Sequence, residues 1–181
     1  MFVYCEAAVA KASDYRYKNV ELVSVPFKAN GWQSIPYDCV SIFKACKRGG
    51  VLLILGTSAT LFLPIFKLLF PNVKFVVNMA GLEWSRSKWS KPISWYLKLN
   101  ERYAINHADI TITDNQGLLE YVDESYSVAT VYIPYGGDQF MRSKVNTNVY
   151  HEFTLPAQFD FAMARAQVDN NMEIILDASV S

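Results

Sequence analysis

The sequence predicts a doubly wound, parallel α/β sheet, and three observations lead there. Short β-branched or aromatic runs alternate about five times with segments whose apolar residues recur at helical spacing. The connections between them are short. The buried strands read as continuous apolar runs, as in 51–55 and 73–77, which is the signature of strands covered on both faces.

The elements follow in order. Residues 2–5 read as a strand and 6–19 as a polar loop; 20–26 alternate apolar with polar, and Pro26 places that strand near an edge. Residues 35–47 form an amphipathic helix, with Val40, Phe43 and Cys46 or Cys39 on its buried side, stopped by Gly49 and Gly50. A strand at 51–55 and a helix at 61–70 come next, ended by Pro71 and Asn72. The strand at 73–77 feeds a long loop, and a helix at 93–106 carries Trp95, Leu99 and Arg102 at i, i+4, i+7. A strand at 109–113, a helix capped by Asp114 or Asn115, and a strand at 128–133 complete the unit. The first domain is thus expected over 1–138. Residues 139–157 read as a polar linker, and 158–181 hold a new strand (159–163) and helix (170–178), too little to bury a core of their own.

Composition narrows the function. Hydrophobic residues make up 51% of the 181 and charged residues 19%, which excludes disorder. Seventeen basic and seventeen acidic residues cancel, so nothing proposes nucleic acid as a partner. Three cysteines without a C-x-x-C pair suit a reducing, cytoplasmic setting, and two distant histidines propose no zinc site. The apolar stretch 51–70 has the length of a membrane span. Its polar break at 56–60 and Pro64 instead indicate a buried strand, a loop and a buried helix.

The chemistry concentrates in three loops. Residues 78–89 sit at the carboxyl end of a strand, where open α/β sheets bind ligands. They hold two indoles, Trp84 and Trp89, suited to stacking on pyranose faces, with Glu83, Arg86 and Lys88 to hold hydroxyls or phosphate. Equally, the indoles could staple the following helix to the sheet. Gly56 and Thr57 open a second strand-to-helix loop, 55–60, able either to bind phosphate or a sugar hydroxyl through backbone N–H groups and the hydroxyls of Thr57, Ser58 and Thr60 or simply to cap the helix. Gly136 and Gly137 form a turn that permits close backbone approach.

The run Val77-Asn78-x-x-Gly81-Leu82-Glu83-Trp84-x-Arg86-x-Lys88-Trp89 resembles the signature of bacterial rhamnosyltransferase-type glycosyltransferases of the family 4 group, which have the two-domain GT-B architecture. Residues 95–101, 108–114 and 133–138 agree with it in order. The resemblance implies a Rossmann-like acceptor-side domain lacking its first strand, glycine-rich loop and helix, followed by the first strand and helix of a donor domain. It implies metal-independent, retaining transfer of a sugar, L-rhamnose from a dTDP-linked donor, onto a lipid-linked glycan, with no cofactor. Acceptor and sugar contacts would then fall on Asn78, Gly81, Glu83, Trp84, Arg86, Lys88, Trp89, Gly56 and Thr57. Donor contacts would fall on Arg165, Gly136 and Gly137. Peripheral contact with the inner membrane face would use the 61–70 helix with Lys88, Lys91 and Lys98. The chain departs from the pattern at Ala80, where relatives often carry an acid, and at Asn171, where a lysine is common. There is no D-x-D triplet. The competing expectation is a non-catalytic half-domain that binds sugar or a partner.

Overall fold

A computed structural model of the chain describes residues 1–7, 19–136 and 172–180. It divides into two compact units, Met1–Ser85 with Trp89–Pro134, and Arg86–Lys88 with Tyr135–Ser181.

In the first unit every strand pairing is parallel. β1 (Phe2–Glu6) pairs with β2 (Glu21–Val25). β3 (Val51–Leu55), β4 (Lys74–Met79), β5 (Ile110–Thr113) and β6 (Val131–Tyr132) form a second sheet in that order. Among the described residues the α-helices of this unit with full bounds are α1 (Ser34–Cys46), α2 (Leu63–Leu69), α3 (Lys91–His107) and α4 (Gln116–Tyr126). This is the doubly wound α/β architecture, Rossmann-like and incomplete. β1–β2 and β3–β6 are separate sheets among the described residues. Among the described residues β1 pairs only with β2 and β3 only with β4, so each has one edge that no described strand covers. α1 bridges the two parts: Tyr37 Oη donates to Tyr4 O (2.8 Å), Lys44 Nζ to Ser24 O (3.1 Å), and the Arg48 guanidinium lies 4.1 Å from the Phe2 ring centre.

The core lies on one face of the larger sheet. Phe75, Val77 and Met79, two apart on β4, are buried there beneath Ile42 and Cys46 of α1, Leu63 and Phe66 of α2, Ala104 and Ile105 of α3, and Leu118 and Val122 of α4. Burial pushes the Cys46 thiol up to about 11, so it stays protonated as a core group. The alternate residues of β3 point the other way, and Val51, Leu53 and Leu55 are exposed, Leu55 by 76%.

Several expectations are corrected. On α1 the buried side is Ile42 and Cys46, with Cys39 packed against it. Phe43 is exposed and meets Phe70 edge-on at 5.9 Å. On α3 the apolar periodicity misleads, because Trp95 is 68% exposed and the buried stripe is Asn100, Glu101, Ala104 and Ile105. The two polar members are buried because their hydrogen bonds are satisfied inside. α2 is only half-buried: Ile65, Leu68 and Leu69 are exposed opposite Leu63 and Phe66. β4 runs on to Met79, so Asn78 belongs to the strand, and β6 is only two residues long.

The second unit includes the helix α5 (Met172–Val180), and its Ile174, Ile175 and Leu176 are exposed. The expected strand at 159–163 lies outside the described residues. No described helix is long and apolar enough to cross a membrane.

Candidate functional site

Two loops leave the carboxyl ends of β3 and β4, and α3 is the support they share. The first, 56–60, starts at Gly56, whose φ of 106° is left-handed backbone that glycine alone adopts without strain. Gly56 N donates to Asn78 O at 3.1 Å, extending the β3–β4 ladder by one bond. Tyr96 Oη of α3 donates to Ser58 O (2.9 Å). Fully buried Asn100 accepts from Leu61 N (2.9 Å) and donates to Tyr96 O, while Thr60 Oγ1 donates to Asn100 O (2.6 Å). These contacts fix the loop without engaging the Thr57 hydroxyl.

Across this loop lies Asp38 of α1. Ser58 Oγ donates to Asp38 Oδ2. Among the described residues no lysine or arginine forms an ion pair with this carboxylate. Burial pushes its pKa above the ordinary aspartate value, and the Ser58 hydrogen bond only partly offsets that.

The second loop turns at Gly81, again left-handed at φ 109°, into a single 3-10 turn, Glu83–Ser85. Trp84 Nε1 donates to Glu101 Oε2 at 2.9 Å, Lys98 Nζ lies 4.3 Å from the Trp84 ring centre, and Ser94 Oγ donates to Trp84 O. Trp89 Nε1 donates to Glu83 Oε1 at 3.3 Å. Glu101, 2% exposed, also accepts from Tyr121 Oη (2.7 Å) and Tyr126 Oη (2.8 Å) of α4. Burial, and then the Glu101 bonds, push both phenols upward, so they remain donors. With three donors, Glu101 is a satisfied structural carboxylate that locks the loop to α3 and α4. Asn78 differs: its Oδ1 is buried without a partner at the end of β4.

The structure therefore brings together Gly56, Thr57 and Asn78 through the backbone. It ties Glu83 to Trp89, and Trp84 to the helices. Gly81 supplies the turn between strand and 3-10 turn. Arg86 and Lys88 fall in the second unit, as does Gly136. Gly137 and Arg165 lie outside the described residues. The stapling role weighed for the indoles fits the bonds of Trp84. Sequence reasoning had Ser58 only as one hydroxyl of the 56–60 loop, and missed Asp38, Tyr96, Asn100 and Glu101. One signal was available: Asp38 is the only acid in a mostly apolar helix. A further open cleft of about 620 Å³ lies between α3 and α4, lined by Trp95, Lys98, Arg102, Tyr121 and Tyr126 among others. No group of His, Cys, Asp or Glu among the described residues is arranged to hold a metal ion.

A family model described as a domain of unknown function (DUF1972) matches residues 1–138. The chain belongs to that family. No curated protein matches it. The match takes in the whole β1–β6 region of this DUF1972 chain and both carboxyl-end loops. Its sheet is consistent with the broad class of GT-B-type sugar-handling enzymes.

Proposed function

We propose that this DUF1972 domain is the acceptor side of a GT-B glycosyltransferase. It would act with a donor domain that begins near residue 158, moving L-rhamnose from a dTDP-linked donor onto a lipid-linked glycan at the cytoplasmic face of the inner membrane. The observation that carries this reading is the pair of preorganised loops at the carboxyl ends of β3 and β4, rich in hydroxyls, carboxylates and indoles. Such groups suit a polyol. Lys98 lies over one face of Trp84, so stacking of a pyranose on that face would have to displace it. The exposed Ile65, Leu68 and Leu69 of α2 support peripheral membrane contact, together with Lys91 and Lys98.

Titration of the 181-residue chain with dTDP-rhamnose tests the division of labour. An acceptor half should bind it no tighter than about 1 mM, corresponding to about −4 kcal/mol. Micromolar donor binding would contradict the assignment. The second reading, a sugar- or partner-binding domain without transfer, draws on the exposed apolar face of β3 and the unpaired edges of β1 and β3. It moves ahead if the native protein, given donor and lipid-linked saccharide extracted from its source, forms no extended glycan.

A further inference from the structure

We propose that Asp38 and Ser58, with Thr57, form a subsite that reads a hydroxyl of a neutral saccharide and rejects phosphate. The inference rests on the sugar-handling reading above and names the ligand class of one part of that site. Sequence alone left the 56–60 loop open to phosphate, hydroxyl or simple capping. The structure decides against phosphate by putting a carboxylate against the loop. Asp38 has no lysine or arginine partner among the described residues, so a phosphate would meet uncompensated negative charge within hydrogen-bond range of Ser58.

The same carboxylate suits a sugar. Only Oδ2 is engaged, by Ser58 Oγ; Oδ1 has no hydrogen bond and is not among the buried orphan atoms, so solvent reaches it. It is an acceptor on a carboxylate already tied to the loop through Ser58, with lone pairs left for another donor. The hydroxyl of Thr57, the residue before Ser58, is likewise unengaged and can donate or accept. Three helices and a strand hold the geometry in place: Tyr96 and Asn100 from α3, Asp38 from α1, Asn78 O from β4, with α2 following the loop. Preorganised polar groups of this kind favour a ligand whose hydroxyls replace water one for one.

The test is saturation-transfer NMR on the 181-residue chain, with methyl α-L-rhamnopyranoside as the sugar probe and inorganic phosphate as the anionic one. Wild type should give sugar signals that equimolar phosphate leaves unchanged. Asp38→Asn keeps the shape and the contact to Ser58. It should lower sugar affinity about tenfold, the loss of one hydrogen bond to a charged group, and Ser58→Ala should weaken binding less. Circular dichroism checks that both variants are folded, and Ser58→Ala carries the test if Asp38→Asn is not. Sugar binding that survives both substitutions overturns the subsite while sparing the sugar-handling reading. Phosphate that displaces the sugar also overturns the subsite. Absence of any sugar signal from the wild type overturns both.

Discussion

Two carboxylates, Glu101 and Asp38, show how environment assigns different work to the same group. Glu101 is sealed and triply bonded; Asp38 is half-buried, singly bonded and reachable. The first should matter to stability and the second to binding. Glu101→Ala leaves Trp84, Tyr121 and Tyr126 donors without an acceptor, and should cost about 2–4 kcal/mol in urea unfolding. Asn100→Ala should cost about 1–3 kcal/mol by the same measurement, because Leu61 N loses its buried acceptor. Asp38 runs the other way. Its folded pKa is raised, so its stability contribution is full below the ordinary aspartate value and is lost as pH rises through the folded one. At neutral pH the wild type therefore bears the cost of a half-buried charge. Asp38→Asn should melt at the same temperature or higher, a stability gained at the expense of the proposed site. None of these roles was legible in the sequence, since each depends on which loop faces which helix. Asp38 lies 20 positions from Ser58, and Trp84 lies 17 from Glu101.

Asp109 ties elements together at the opposite end of the sheet. Its Oδ2 accepts from Phe75 N (2.8 Å), its own N donates to Phe75 O, and Lys67 Nζ of α2 lies 3.2 Å from Oδ1, with Lys74 Nζ at 3.7 Å. Burial alone would raise its pKa; the Phe75 hydrogen bond and the two lysines outweigh it and hold the carboxyl below the ordinary value. The depressed pKa means this stability is present above the unfolded aspartate value and lost as pH falls through the folded one. Acid titration of the wild type and of Asp109→Asn, followed by circular dichroism, should show the variant's stability falling less between pH 5 and the acid limit. At this level the sequence was readable. Strand and helix positions held because β-branched runs and glycine stops are local signals, and Asn115 caps α4 through Leu118 N as its type suggests. What failed was the facing of α1 and α3. Periodicity counts apolar residues, whereas the buried stripe of α3 is half polar and is selected by partners on other elements.

Among the described residues the larger sheet has one face under helices, and on the other several apolar side chains are exposed. Val51, Leu53, Leu55, Ile110 and Val131 are all exposed, and by strand alternation and register they share that second face. The continuous apolar runs read correctly as strands, but the expected burial of 51–55 on both faces is corrected: the described residues cover it on one. The isolated chain should therefore self-associate as concentration rises, seen as a growing weight-average mass in sedimentation equilibrium. Leu53→Glu should reduce that association with little change in unfolding free energy, because the side chain is already about half exposed. Amide chemical-shift mapping with methyl α-L-rhamnopyranoside puts the functional account at risk more than any other experiment. Shifts clustered at Asp38, Gly56–Thr60 and Asn78–Gly81 are the expected result. Shifts confined to the cleft between α3 and α4, around Trp95 and Arg102, would contradict the account and move the sugar site there.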